Sequence, residues 1–189
     1  GYSHNLYIGV VLSLTFRGNY SHHTQIGHNL KTRAQTNYSL ANRIMDEDEG
    51  TASYAIDVPQ GGLTYIIGNL IQKGPHTDNI DALVSYAEES VQGAPWNTSQ
   101  HLYVINNTIV NDYVPADSAD ILFVRVNSSA ASPGTVARIE NNIFLGPGTA
   151  IGTYLLNGTY YSGSEASISA LHNLRVLDHE TSPLVNRLG

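Results

Sequence analysis

The side chains best suited to chemistry are concentrated in SHHTQIGHNLKTRAQTN, Ser21 to Asn37, which holds His22, His23, His28, Lys31 and Arg33. Imidazoles and amines serve as general acids and bases, and ammonium or guanidinium groups hold anionic substrates. Only 13% of the chain is charged. Such a cluster therefore reads either as a reaction centre or as the polar wall of a repetitive scaffold. His22 and His23 are adjacent, so on a strand they point to opposite faces unless the chain turns there. His28 follows Gly27 at the start of a strand, a position suited to a cleft. His4, His76, His101, His172 and His179 show no metal-ligand spacing. A second concentration is Asp46-Glu47-Asp48-Glu49-Gly50. Hard oxygen ligands on a loop suit Ca²⁺, with Asp46 and Asp48 as the candidate ligands, and a bound ion would relieve the repulsion among four carboxylates. The run lacks the spaced order of an EF-hand loop, and a solvated acidic loop is its alternative reading.

Composition narrows the partners. The chain has 189 residues and 41% hydrophobic content, enough for one domain with a continuous core. A formal net charge of -7 and a pI near 5.5 exclude a general positive field for phosphate backbones, so nucleic acid is not expected as a partner. No apolar run reaches the length of about 18 residues that a membrane span needs. The opening GYSHNLYIGVVLSLTF starts polar and has no basic flank, which fits neither a span nor an intact signal peptide. Without cysteine there is no disulfide, zinc-thiolate site or thiol nucleophile. Asn19, Asn37, Asn97, Asn106, Asn127 and Asn157 all begin Asn-x-Ser/Thr triplets, a pattern that also arises by chance in an Asn- and Ser-rich chain.

The elements that must position these groups emerge when similar fragments are overlaid. LTFRGNYSH, YSLANRIMD, LTYIIGNLIQKG, LYVINNTIVND and ARIENNIFLGPG each carry a short apolar run, an asparagine, and a second apolar run. The shared residues are Asn19, Asn42, Asn69, Asn107 and Asn142, unequally spaced, as in a solenoid of constant core with loops of variable length. Runs of three to five residues rich in Ile, Val, Leu, Tyr and Thr, broken by Asn, Gly and Pro, predict short strands, and no helical period is sustained. Asparagine tolerates the left-handed conformation of a sharp bend, and its amide can bond the equivalent amide one coil away. The spacing thus predicts an internal asparagine ladder.

IIGNLI, INNTIV and IENNIF, with the terminal TSPLVNRLG, resemble the right-handed parallel β-helix repeats of the pectate-lyase-like superfamily. GHNLKTRA followed by NRIMDEDEGTASYAIDVPQGG is similar to a segment of one bacterial branch of that superfamily. The resemblance covers nearly the whole chain and implies an all-β, single-stranded right-handed parallel β-helix over residues 1–189, of about five or six coils. It also implies a missing N-terminal cap or missing leading coils, since the chain opens as though inside a coil.

For function, the resemblance implies a secreted protein, extracellular or periplasmic, that binds or degrades polysaccharide, with Ca²⁺ a common cofactor. Lyases of the superfamily remove the proton α to a uronate carboxylate, which needs a base, a cation for the carboxylate and a proton donor. Lys31 or His28 would be the base, Arg33 the carboxylate partner and Tyr38 the acid. Lys31-Thr32 matches the Lys-Ser/Thr pair of an alginate- and chondroitin-lyase branch, but the arginine that branch places on the following coil is replaced. Counted back from the ladder, Lys31 and Asp57 fall at nearly the same offset, so a carboxylate is the expected neighbour of Lys31. A structural cross-coil ion pair is the alternative reading. Tyr54, Asp57 and Trp96, the last on the insertion VQGAPWNTSQ, are the candidate substrate-binding residues, since aromatic rings suit sugar faces. A second function class stays open: a non-catalytic structural or assembly protein whose open β-helix end stacks on neighbouring subunits.

Overall fold

The computed structural model describes residues 3–89, 97, 100–113, 121–126, 136–147 and 167–176. The chain winds in coils of three short strands. The first coil holds β1 (Tyr7–Ile8), β2 (Ser13–Arg17) and β3 (Tyr20–His22), and the second β4 (His28–Thr32), β5 (Thr36–Leu40) and β6 (Arg43–Met45). β7 (Tyr54–Val58), β8 (Leu63–Ile67) and β9 (Leu70–Lys73) follow, then β10 (Ala82–Tyr86), β11 (His101–Ile105) and β12 (Thr108–Asn111). The fifth coil has β13 (Leu122–Val126), β14 (Val136–Glu140) and β15 (Ile143–Leu145), and the last described strands are β16 (Ser167–Leu171) and β17 (Leu174–Val176).

Each strand pairs in parallel with its equivalent one coil away, giving three sheets in the orders β1-β4-β7-β10-β13, β2-β5-β8-β11-β14-β16 and β3-β6-β9-β12-β15-β17. The protein is a parallel β-helix. Its core is stacked columns of like side chains, such as Ile44, Ile71, Ile109 and Phe144 across the third sheet. Burying each such aliphatic group is worth about 1.5–3 kcal/mol. β-branched residues fit this pleated interior, which is why the short apolar runs become strands.

The asparagine ladder runs between the second and third sheets, through Asn19, Asn42, Asn69, Asn107, Asn142 and Asn173. The Nδ2 group of each of the first five donates to Oδ1 of the next at 2.9 to 3.3 Å, across sequence gaps of 23, 27, 38, 35 and 31 residues. The same Oδ1 also accepts the backbone N–H of the previous ladder residue at 2.9 Å. The second Nδ2 hydrogen returns to a carbonyl of the preceding coil, as from Asn69 to Ser39 at 2.9 Å. Two donors and two acceptor positions are thus all used, which removes the cost of burying the amide.

The left-handed bend falls one residue earlier than the ladder position. Gly18, Ala41, Gly68, Asn106, Asn141 and His172 hold positive φ between 50° and 67°, each directly before a ladder asparagine. The ladder residue is thereby free to point inward, and its amide replaces the strand hydrogen bonds lost at the corner. The acceptor triplets read differently once folded: Asn37 and Asn97 are buried, Asn19 and the Asn107 beside Asn106 belong to the ladder, and Asn106 is exposed.

Replacing Asn69 by alanine orphans the buried Asn42 donors, the Ser39 carbonyl and one acceptor position of Asn107 Oδ1, and is expected to cost about 2–4 kcal/mol in chemical denaturation. Asn19→Ala, at the exposed end of the ladder, is expected to cost much less. Equal losses at the two positions would remove the ladder as the stabilising feature.

Candidate functional site

The outer face of the first sheet gathers the polar side chains. In register across five coils lie Tyr7, Lys31, Asp57, Ser85 and Arg125. Ala55, Leu83 and Phe123 turn into the core together with the following Ile56, Val84 and Val124, so Tyr54 lies with Ala82 and Leu122 in a separate small cluster. His28 pairs with Tyr54 and stands beside Asp57.

Asp57 is 1% exposed, and its Oδ2 takes the Lys31 ammonium at 2.7 Å and His28 Nε2 at 3.2 Å. His28 Nδ1 accepts the Tyr54 N–H at 3.3 Å, a pattern that places the ring proton on Nε2, toward Asp57. His4 Nδ1 accepts the His28 N–H at 3.0 Å; burial, then the nearby His28 and Lys31, lower the pKa of His4. Arg33 grips Glu89 with two bonds of 2.6 Å and donates from Nε to the Tyr7 hydroxyl at 2.9 Å. This fork raises the Arg33 pKa and lowers that of Glu89. Arg125 meets Asp81 at 2.8 Å, Glu88 at 3.3 Å and the Tyr54 hydroxyl at 3.3 Å. Burial pushes the Tyr54 phenol up to about 12, so it stays a hydrogen-bond donor, here to Glu88. Asp57 Oδ1 and Arg125 Nε, both buried, find no partner among the described residues.

This arrangement restricts the chemistry. The Lys31 ion pair leaves no lone pair on Nζ to abstract a proton, and both His28 nitrogens are engaged. Each cation of the face is paired with a carboxylate: Lys31 with Asp57, Arg33 with Glu89, and Arg125 with Asp81 and Glu88.

Of the residues singled out in the sequence, His28, Lys31, Arg33, Tyr54 and Asp57 share this face. Tyr38 is elsewhere, on the outer face of the second sheet, stacked on Tyr65 at 5.2 Å, which stacks on Tyr103 at 4.9 Å. These rings cover one another's faces and present their edges, so they offer no row of ring faces for sugars to stack upon. Trp96 lies outside the described residues. Asp48 is exposed, whereas Asp46 turns inward, accepting from Asn29 Nδ2 at 2.9 Å and from the Gly74 N–H at 3.4 Å. Among the described residues no three or more His, Asp or Glu groups gather as a metal-binding set. Tyr7, His4, Ser85, Glu88, Glu89, Asp81 and Arg125 are the members that sequence reading missed. The signal for Ser85 and Arg125 was the register of Lys31 and Asp57 continued by two coils. No protein family, curated protein or solved structure matches the chain.

Beneath the acidic run lies Lys73, 2% exposed, whose Nζ donates to the carbonyls of Ser53 at 2.9 Å and Ala82 at 3.1 Å. Burial lowers its pKa to about 8, against which Asp46 acts only in part, and burial raises the pKa of Asp46 itself. Between about pH 8 and pH 10 the unfolded lysine holds a proton that the folded one has released, so stability rises with pH across that window. Above about pH 10 the raised Tyr54 value acts in the opposite direction, because the unfolded phenol ionises first. Wild type is therefore expected to gain on the order of 2 kcal/mol on Lys73→Met from pH 8 to pH 10, read by denaturant melts. A constant difference across that range would contradict the assignment.

Proposed function

We propose that the outer face of the first sheet binds a polysaccharide in an extracytoplasmic setting. The observation that carries this reading is the row Tyr7, Lys31, Asp57, Ser85 and Arg125, one hydrogen-bonding group per coil along the axis. Parallel strands stand about 4.8 Å apart; of this row Tyr7, Lys31 and Arg125 reach solvent where an extended polymer along the axis can meet them, while Asp57 and Ser85 are buried and brace Lys31 and Glu88 from beneath. His28, Arg33, Tyr54, Glu88 and Glu89 widen the row with paired donors and acceptors, which match vicinal hydroxyls.

The charge balance selects among polymers. Asp57, Asp81, Glu88 and Glu89 offset Lys31, Arg33 and Arg125, and the whole chain is acidic at -7. A neutral or sparsely charged polymer fits this face without displacing a protein carboxylate. The pectate-lyase-like form of the proposal, β-elimination on a uronic-acid polymer, requires Lys31 to leave Asp57 and the substrate carboxylate to compete with Glu89 for Arg33. The paired charges therefore favour binding over elimination.

Calorimetric titration against soluble neutral and uronate polysaccharides, with ultraviolet absorbance for an unsaturated uronate product, tests this reading. Tyr54→Phe keeps the ring but removes the hydroxyl bonded to Glu88, and is expected to weaken binding about tenfold. Arg33→Gln should act in the same direction. Absence of binding to every polymer, or binding indifferent to both substitutions, would contradict the proposal. A product signal abolished in Lys31→Ala would establish its catalytic form.

A further inference from the structure

β3 ends at His22, and the next residue, His23, takes φ of 54° in the left-handed region. That turn cancels the alternation of a strand and brings both imidazoles to one side, with ring centroids 4.7 Å apart and planes at 76°. The two Nδ1 atoms face each other in hydrogen-bond contact. Two lone pairs cannot converge there unopposed, so either one Nδ1–H donates to the other Nδ1 or the rings part to admit a cation.

The surroundings favour a cation. His23 Nε2 faces Glu47 Oε2 at 3.4 Å, which draws the ring proton to Nε2 and leaves the Nδ1 lone pair toward His22. A carboxylate behind a histidine whose other nitrogen faces a second imidazole nitrogen is an arrangement that orients metal-bound imidazoles once the two rings part. His22 stacks on Tyr20 at 4.2 Å, and the Tyr20 hydroxyl bonds Glu47, so one carboxylate braces both rings. Arg43 lies over Tyr20 at 4.9 Å and 3.5 Å from Glu47, where its charge is offset. His22 is exposed and also lines a cavity of about 430 Å³ with Asn5, Leu6, Phe16, Asn19 and Ser21, so an ion has access from solvent.

We propose that His22 Nδ1 and His23 Nδ1 chelate a divalent transition-metal ion, with Glu47 as the positioning residue and water in the remaining positions. Imidazole ligands select Zn²⁺, Cu²⁺ or Ni²⁺ over Ca²⁺ or Mg²⁺, which prefer oxygen. Two nitrogens each about 2.0–2.1 Å from a tetrahedral ion stand about 3.3 Å apart, so the rings must rotate to widen their contact to that separation. The site is independent of the polysaccharide face.

The test is calorimetric titration of the full chain with ZnCl₂, CuCl₂, NiCl₂ and CaCl₂ in turn, with electron paramagnetic resonance of the Cu²⁺ sample. Expected are saturable binding of at least one transition-metal ion, coupling of Cu²⁺ to two nitrogens, no Ca²⁺ binding, and loss of binding in His22→Ala and in His23→Asn, the latter chosen because asparagine tolerates the left-handed turn. Glu47→Gln should weaken binding about tenfold or more while keeping the two-nitrogen signature. Binding should also weaken in acid, where protons compete with the ion for imidazole. No transition-metal binding, or undiminished binding in either folded histidine variant, as judged by its circular dichroism, would overturn the proposal.

Discussion

The rest of the structure depends on the amide-to-amide hydrogen bond that repeats along the asparagine ladder. A parallel sheet by itself specifies register weakly, because a two-residue slip keeps each side chain on its face. The ladder removes that freedom. Each asparagine has one position at which both Nδ2 hydrogens and both acceptor sites of Oδ1 are used, and any slip leaves four buried polar groups without partners. Loops of very different length can then separate the coils without disturbing the stack, since the corner and not the loop sets the alignment.

The polar face inherits its geometry from that alignment. Lys31 meets Asp57 because both are held at a fixed offset from Asn42 and Asn69, and Ser85 and Arg125 extend the line. What the face does is decided by its pairing. Arg33 with Glu89, Lys31 and His28 with Asp57, and Arg125 with Asp81 and Glu88 leave few charges unopposed. The exceptions are single atoms, Asp57 Oδ1 and Arg125 Nε, which lack partners among the described residues. A face of neutralised pairs lacks the free base that proton transfer needs.

Much of the fold was legible because ladder and core repeat as apolar-Asn-apolar units, and the neighbour of Lys31 followed from counting. Local sequence alone does not separate identical words that serve different places. His-Asn-Leu occurs at residues 4–6, 28–30 and 172–174. The first two run side by side just before β1 and at the start of β4, where Asn5 Nδ2 donates to Asn29 Oδ1 at 3.2 Å, whereas Asn173 belongs to the ladder. No propensity separates them; only the position within the coil does. The left-handed residue was likewise assigned to the ladder asparagine, although the corner requires it one position earlier, even at Ala41. Partners such as Glu88 and Glu89 come from segments beyond strand ends, where register counting stops. The His22 and His23 rings come together through a single positive φ that composition does not announce.

Hydrogen exchange of the asparagine side-chain amides, followed by nuclear magnetic resonance, reads the ladder directly. Both Nδ2 hydrogens of Asn42, Asn69, Asn107 and Asn142 should exchange as slowly as the backbone amides of the central strands, while those of the exposed Asn106 exchange rapidly. Rapid exchange at all five asparagines would mean that the amides are not bonded coil to coil, and the register that assembles the polar face would lose its physical basis.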